Sequence, residues 1–400
     1  MYFILFVDRV NISTAAPLIA RDLDLDNTRL GLAFSAFAFP YALFQLIGGW
    51  IADRFGAWLV LTACCVIVAV STALTGAAGG LASLVAIRLA VGFGEGAAFP
   101  TATRAMASWT PSGSWGFAQG IVHASARIGN ALTPPLVAVL LTFVSWRGSF
   151  LILGIASLLW PAIWMWFFRD NPRDHPSITP EQLATLPSRA TGSGSRSVPW
   201  LRLARRILPV TIVDFCYGWT LWLFLSWIPS FFFQNYGLNL QATALFSTGV
   251  FLAGVIGDTL GGVASDGLLR KTGSLVVARR YVIVGGFLGA FLFLLPVVLI
   301  HQLNVAAICL SLAFFFLELI VAPIWSIPMD IAPRFAGSAS GMMNFGFGVA
   351  GIISPLSFGY LVDRTGGWVF PFVASLVLLP LGALLAVRLR PDKPFATPEE

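Results

Sequence analysis

Four ionisable residues lie within stretches of sequence that are otherwise almost entirely apolar. Asp8 and Arg9 stand in the first hydrophobic segment, and Arg88 and Glu95 stand in a later one. A charge at the centre of a lipid bilayer costs roughly 3 kcal/mol on insertion scales, so such residues usually pair, line a cavity or serve transport. The carboxyl groups offer reversible proton binding, and the guanidinium groups offer electrostatic binding of an anion.

The composition is that of a membrane protein. Of the 400 residues, 57% are hydrophobic and 10% are charged, whereas about 25% charged residues is usual in soluble domains. An apolar run of roughly 20 residues is long enough to cross the bilayer. The sequence therefore predicts an all-α protein with twelve transmembrane helices, at 1–20, 30–52, 57–78, 82–106, 116–142, 149–168, 207–233, 241–265, 278–300, 304–329, 336–362 and 368–389.

The first segment does not have the pattern of a secretory signal. It carries Asp8 and Arg9 and lacks the basic start and the small-residue cleavage site of such signals. The residues before Asp8 would form about 10 Å of helix, whereas about 15 Å separates the bilayer midplane from its surface. We therefore expect the native start to lie upstream of Met1.

The distribution of basic residues predicts the orientation. Positive residues are retained on the cytoplasmic side of short loops, and most of the 24 Lys and Arg residues lie on that side if both termini are cytoplasmic. The opposite loops then hold only Arg21, Arg29, Arg147 and Arg364. We expect a multi-pass protein of the cell (plasma or inner) membrane, and its net charge of +6 requires no nucleic-acid partner.

A long polar interruption divides the chain. The predicted units are an N-terminal six-helix bundle at 1–168, a cytoplasmic central loop at 169–206, a C-terminal six-helix bundle at 207–390 and a cytoplasmic tail at 391–400. The end of the loop, with Trp200, Arg202 and Arg206, fits either a short interfacial helix or a basic flank of the next membrane helix.

One short pattern occurs three times at matching positions, which indicates internal duplication. It combines glycine with a following Asp, and its copies are Gly49, Asp53, Arg54 and Gly56; Gly262 and Asp266; and Gly359, Asp363, Arg364 and Gly366. The first copy resembles the signature of the major facilitator superfamily, and the twelve helices and the central loop agree with it. This resemblance implies two pseudo-symmetric bundles. It also implies that the glycines allow close helix contact and that Asp53, Arg54 and Asp266 belong to a charge relay that stabilises a gate.

The resemblance narrows around the intramembrane charges. Phe6 to Ser13 and Arg88 to Pro100, with further matches along the whole chain, resemble the anion:cation symporter family. Members of that family take up organic anions such as hexuronates, aldonates, aldarates and tartrate, usually with protons. The sequence departs from the family pattern at Phe6, where many members carry a tyrosine.

The residue types suit such transport. Arginine holds a carboxylate with two hydrogen bonds and stays charged, and both lysines, Lys271 and Lys393, lie outside the predicted helices. A carboxyl group can switch between protonated and ionised forms as its surroundings change. We therefore predict that Asp8 and Glu95 carry protons while Arg9 and Arg88 neutralise the substrate. The alternative is a purely structural ion pair between helices 1 and 4.

Two spacings bear on the geometry of this constellation. Arg88 and Glu95 return to nearly the same helix face about 10 Å apart along the axis, so their side chains can bridge much of that distance. Asp8 and Arg9 point about 100° apart and can address different neighbours. Asn11 and Ser13 add oxygen atoms nearby, which leaves sodium open as the coupling ion.

Specificity would come from polar and aromatic groups that face the cavity, because rings stack on carbon skeletons while hydroxyl and amide groups read substrate oxygens. The candidates are Tyr41, Arg127, Tyr217, Trp219, Trp222, Trp325 and Asn344. Any of the aromatic residues could instead face lipid. Arg127, one turn from His123, either grips a second acidic group of the substrate or pairs with another helix.

Three further acidic residues lie within predicted helices. We expect Asp214, Asp258 and Glu318 to have structural or gating roles, with Asp258 paired to a loop arginine. Glu318 lies deeper in its helix and is the reserve candidate for proton coupling.

Other functional classes lack their motifs in this sequence. There is no phosphate-binding Gly-Lys-Ser or Gly-Lys-Thr loop, no nucleophile elbow with a basic partner and no metal-ligand spacing. We therefore predict a secondary transporter that is not an enzyme, needs no cofactor or metal and works as a monomer with a small organic anion and protons. A drug or organophosphate antiporter and a sodium-coupled anion symporter remain the alternatives.

Overall fold

A computed structural model of the protein describes residues 1–110, 115–186, 198–332 and 335–395. Within these ranges the chain folds into helices joined by short turns. The α-helices are α1 Tyr2–Asp22, α2 Asn27–Phe55, α3 Ala57–Thr75, α4 Leu81–Gly96, α5 Ala98–Trp109, α6 Trp115–Phe143, α7 Trp146–Ser157, α8 Leu159–Phe167, α9 Pro180–Thr185, α10 Trp200–Ser230, α11 Leu240–Thr272, α12 Val282–Leu299, α13 Leu303–Glu318, α14 Val321–Ile331, α15 Ala336–Thr365 and α16 Phe372–Ala386.

Twelve membrane crossings are present in the described ranges. Eleven helical stretches are long and apolar enough to span a bilayer, and α16 is a shorter apolar helix. Three of the described crossings consist of two consecutive α-helices, namely α4 with α5, α7 with α8, and α13 with α14. Helices predominate because in lipid each backbone polar group needs a partner within its own segment. The predicted fold class, a twelve-helix all-α membrane protein, is confirmed.

The boundary between the central loop and the second half differs from the prediction. α10 begins at Trp200, so the basic residues before position 207 form the first turns of the membrane helix and no separate interfacial helix is present there. Pro199 stands immediately before the helix, where proline is tolerated because the missing N–H has no helical partner. Arg206 ties this end to the chain terminus by donating to the carbonyl groups of Arg390 and Lys393, at 2.6 and 2.7 Å.

Two bundles meet along three helix pairs. Helices α1 to α8 form the N-terminal bundle and α10 to α16 the C-terminal bundle, and α1, α2 and α6 pack against α10, α15 and α11, respectively. The α2–α15 contact is backbone-close, because a Cβ placed on Gly348 would lie 2.9 Å from the Cα of Ala42. Small residues permit such approach. The interface between bundles therefore includes helices that carry the predicted site residues.

Candidate functional site

The first helix presents its charged residues in different directions. Asp8 and Arg9 are both buried in α1, and because they are adjacent they point about 100° apart. Asp8 faces α7, where its Oδ2 accepts a hydrogen bond from the hydroxyl of Ser157 at 2.8 Å. A cavity of about 10 Å³ lies beside Asp8, Ser157 and Cys65, which is room for about one water molecule.

Arg9 faces α4 and forms an ion pair with Glu95. The guanidinium Nε donates to Glu95 Oε2 at 2.9 Å, and Nη2 contacts the same oxygen. The other carboxylate oxygen, Oε1, has no hydrogen-bond partner among the described residues. The sequence had suggested that Arg88 could bridge to Glu95 along one face of α4. The structure instead joins Glu95 to Arg9 of α1, so the ion pair between helices 1 and 4 that the alternative interpretation expected is present.

Aromatic rings from both bundles surround the Arg9 guanidinium. Its carbon lies 4.4 Å from the ring centroid of Phe6, 4.9 Å from Tyr41 and 5.8 Å from Trp222. Each distance allows a cation–π attraction. Trp222 belongs to α10 of the C-terminal bundle and is fixed by a hydrogen bond from its Nε1 to the carbonyl of Phe347 at 3.1 Å. The C-terminal bundle therefore covers a charge that the N-terminal bundle carries.

Arg88 is the less satisfied of the two cations. It is buried on α4, and its guanidinium carbon lies 4.8 Å from the ring of Phe37. Its Nε donates to no atom of the described residues. A buried donor without a partner costs about 1–3 kcal/mol. Arg88 is thus a cation with donor capacity to offer an anion.

Gly92 brings the α4 charges close to α2. A Cβ at this position would lie 2.9 Å from Cγ of Pro40 and 2.9 Å from the carbonyl carbon of Phe37, closer than side chains pack. The missing side chain lets α4 press against α2 where Phe37 and Tyr41 stand. Arg88 and Glu95, on either side of Gly92, consequently reach the same region as Arg9.

Arg127 does not stand alone on α6. Its Nε donates to Asp258 Oδ2 on α11 at 3.1 Å, and its Nη2 lies 3.0 Å from Glu318 Oε2 on α13. The interpretation of Arg127 as a residue that pairs with another helix is therefore the one the geometry favours. The expectation that Asp258 pairs with a loop arginine is wrong, because the nearer cation comes from the opposite bundle.

The remaining substrate-binding candidates have different environments. Tyr217 and Asn344 are buried, and the Tyr217 hydroxyl and the Asn344 Nδ2 have no partner among the described residues. Trp219 is half-buried, and its Nε1 has no hydrogen-bond partner in the part of the chain that the structure describes. Trp325 is half-buried, and its ring centroid lies 6.1 Å from that of His123 across the bundle interface. Asp214 is buried on α10, outside both ion-pair groups.

The glycine–aspartate motif forms different contacts in its first two copies. In the first, Gly56 adopts a left-handed φ of 82°, and Asp170 caps the following helix by accepting from the backbone nitrogen of Trp58 at 2.9 Å. Gly49 and Asp53 lie within α2, but the side chain of Asp53 is outside the described part of the structure. Arg54 is exposed, 5.8 Å from the ring of Phe55.

The second copy takes part in a network of ion pairs. Arg279 contacts Asp266 at 3.4 Å and Asp330 at 3.0 Å, and donates to the Ser265 hydroxyl at 2.7 Å. These residues come from α11, α14 and the π-helical turn Val276–Tyr281. The network thus joins three elements of the C-terminal bundle at one end.

Sequence reasoning missed several residues of the site. Ser157 gives no signal, because single serines are common in membrane helices. Phe37, stacked on Tyr41 with centroids 5.4 Å apart, could have been found from its position one turn before Tyr41. Asn130 is buried with both amide atoms unpartnered in the described structure, and an amide in the middle of an apolar helix was a usable signal.

Comparison with known proteins identifies the class. Residues 1–355 match the family model of the Major Facilitator Superfamily. The chain belongs to the Major Facilitator Superfamily, and it is a multi-pass membrane transporter, as the resemblance had implied.

Individual relatives cover nearly the whole chain. A "Probable sulfoacetate transporter" of Cupriavidus necator is 48% identical over 403 residues, which is 100% of this chain and 94% of the relative. A "Hexuronate transporter" of Bacillus subtilis is 29% identical over 99% of this chain and 94% of its own length. The crystal structure of a bacterial homologue of the human lysosomal transporter Spinster, inward-facing and unoccupied, has a TM-score of 0.79 at 17% identity, covering 96% of this chain and 94% of that one.

Proposed function

We propose that this protein takes up a small organic anion by proton-coupled symport. One observation carries the proposal: Glu95 is bound to the guanidinium of Arg9, while Arg88, on the same helix as Glu95, keeps a donor that has no partner among the described residues. The site contains a cation held by an internal carboxylate and a second cation with donor capacity. A substrate anion can replace the Glu95 carboxylate at Arg9 only in an arrangement of this kind.

The exchange links proton binding to substrate binding. When Glu95 takes up a proton, it loses its charge and its hold on Arg9, and a substrate acid group replaces it at the guanidinium. Without the proton, the substrate must compete with a carboxylate already in place. Asp8, bonded to Ser157 beside a small cavity, is the second proton carrier that we assign. A doubly charged substrate needs two protons for electroneutral transport, which the pH gradient drives, and each further proton adds about 2.3 kcal/mol per 100 mV of membrane potential.

The substrate that we propose first carries two acidic groups. The relative of 48% identity is named for sulfoacetate, which has a carboxylate and a sulfonate, and Arg9 and Arg88 supply two cations for them. Hexuronate carries a single carboxylate and several hydroxyl groups, which would leave one cation unmatched. The aromatic rings around Arg9 give the site an apolar wall suited to a short, compact molecule.

The remaining features of the proposal follow from the sequence. The transporter lies in the inner membrane of the cell. Both of its termini face the cytoplasm, since most basic residues then lie on the cytoplasmic side. One chain supplies both bundles and the whole charged site, so a monomer is sufficient for transport.

The test is uptake into substrate-free proteoliposomes. Labelled sulfoacetate should accumulate when the outside is more acidic than the inside, and a protonophore should abolish the accumulation. Glucuronate is the matched competitor and should inhibit more weakly than unlabelled sulfoacetate. Accumulation driven by a sodium gradient at equal pH would show that sodium, and not the proton, is the coupling ion. Uptake that requires preloaded anion and ignores both gradients would contradict symport and establish an antiporter.

A further inference from the structure

A second group of charges joins the bundles through residues that the transport site does not use. Arg127 from α6 lies between Asp258 on α11 and Glu318 on α13, and we call these three residues the bridging cluster. Glu318 is fully buried, and the side chains of Arg127 and Asp258 are only 11% and 12% exposed. The cluster is therefore removed from water while the bundles are in contact.

The cluster has an excess of negative charge if all its groups are ionised. In the described ranges a single guanidinium faces two carboxylates, and arginine does not give up its proton. An uncompensated charge in a protein interior costs several kcal/mol, and two carboxylates that share one site resist joint ionisation. The buried cluster therefore needs one more positive charge.

Unpartnered atoms at the cluster point to where that charge binds. Glu318 Oε1 accepts no hydrogen bond from the described residues, and the nearby Tyr217 hydroxyl, also buried, finds no partner there. Among the charged groups around Tyr217, Glu318 has the strongest electrostatic effect on it. Arg127 Nη2 approaches Glu318 at 3.0 Å but outside hydrogen-bond alignment. The Glu318 carboxyl is thus the least satisfied group of the cluster.

The titratable groups around the cluster come from four helices. α6 contributes His123, which interacts with Asp258 and Arg127. α10 contributes Tyr217 and, through it, Asp214. α11 and α13 contribute the two carboxylates themselves. Among these, only a proton on the acid pair or on His123 can supply the missing charge.

We propose that the bridging cluster is a separate proton-binding site. One proton binds to the Asp258–Glu318 pair whenever Arg127 docks between the two acids, and it leaves when the bundles part here and water hydrates the carboxylates. Docking requires this proton whether or not substrate is bound. The proton is therefore carried in the substrate-loaded half of the transport cycle and carried back in the empty half. The site therefore makes bundle closure depend on pH and adds no proton to the transport stoichiometry. This inference is independent of the identity of the anion.

The direct test is a pH titration of bundle contact. Spin labels are placed on T142C at the end of α6 and Q241C at the start of α11, in full-length protein whose four native cysteines are replaced, reconstituted in lipid nanodiscs. The D8N/E95Q background removes the titration of the transport site. The ratio of docked to parted molecules, read from pulsed electron paramagnetic resonance distances, should fall by up to about tenfold for each pH unit above the point where the parted state loses its proton.

Substitutions locate the proton. E318Q leaves one acid for one guanidinium, so docking should persist and its pH dependence should disappear; D258N should act in the same way. D214N is the matched control, a buried acid of the same bundle outside the cluster, and should retain the slope. Loss of the slope in H123Q with retention in E318Q would place the proton on the imidazole and overturn the proposal.

A transport measurement separates this inference from the proposed function. With the membrane potential clamped at zero, E318Q should accumulate substrate to the same steady state as the wild type at each pH gradient. A decrease of about tenfold per unit of gradient would show that the proton is transported with substrate, which contradicts a site outside the coupling. Failure of wild-type accumulation would contradict the symport and leave the spin-label result intact.

Discussion

Asp363 on α15 caps the first turn of α2 from the opposite bundle. Its Oδ2 accepts from both the backbone nitrogen and the hydroxyl of Thr28 at 2.6 Å, and its Oδ1 accepts from Asn27 Nδ2 at 2.8 Å. The unpaired N–H groups and the positive dipole of a helix start favour a carboxylate at this position. The third copy of the glycine–aspartate motif thus holds the two bundles together at the end where α2 begins.

Removal of this cap should loosen the interface. D363A should raise the labelling rate of a cysteine at the buried position Ser35, whose hydroxyl accepts from the Leu356 nitrogen across the interface at 3.2 Å. A cap is worth about 1 kcal/mol, which corresponds to roughly a fivefold increase in the population open to a maleimide. D26A is the matched control, because Asp26 caps α2 from within its own bundle through the Arg29 nitrogen. Equal rates in the two variants would contradict a bundle-bridging role.

Substitution of Glu95 should separate proton coupling from substrate exchange. E95Q cannot ionise and resembles the protonated form, so Arg9 stays available to substrate while the switch is lost. Proton-driven accumulation in proteoliposomes should disappear, and exchange of labelled for unlabelled substrate should continue. E95D retains a titratable acid and should keep some accumulation. Normal accumulation in E95Q would assign Glu95 a structural role only.

Arg88 should contribute to substrate binding through the planar shape of its guanidinium as well as through its charge. R88Q loses charge-assisted hydrogen bonds worth about 1.5–3 kcal/mol, which corresponds to roughly 10- to 100-fold weaker substrate binding. R88K keeps the charge without the planar fork and should bind with intermediate affinity. The measurement is isothermal titration of purified protein with sulfoacetate. If all three proteins bind equally, Arg88 does not contact the anion.

The close contact at Gly92 should make that position intolerant of a side chain. G92A forces a Cβ against the α2 backbone and Pro40, so the melting temperature should fall, because overpacking costs about 1–3 kcal/mol. G285A is the control, since Gly285 lies in α12 and no atom of the described residues lies within 4 Å of its Cβ position. A thermal melt in detergent compares the two. A stable G92A protein would show that α4 and α2 can separate without cost.

Composition and the length of the apolar runs were sufficient to predict the membrane crossings, because an apolar run of about 20 residues satisfies its own backbone in lipid by forming a helix. The positions of Asp8 and Arg9 also predicted that they address different neighbours, as Ser157 and Glu95 demonstrate. These inferences depend on local geometry, which the sequence determines directly.

Pairing between helices was less predictable. Glu95 bonds to Arg9 although Arg88 shares its helix, since the packing of α4 against its neighbours decides which guanidinium comes within reach. The partners of Arg127 likewise depend on contact between the bundles, which no spacing along one helix encodes. Asp258 pairs with Arg127, and not with a loop arginine, because of this contact between the bundles.

The Arg9–Glu95 ion pair makes Glu95 a tethered ligand of the proposed substrate site. A tethered group is present at an effective concentration in the millimolar range or above, so every external anion competes with an occupant that cannot diffuse away. Affinity measured for any inhibitor will therefore contain the cost of displacing Glu95. A compound that donates a hydrogen bond to this carboxylate, and so leaves the ion pair in place, avoids that competition.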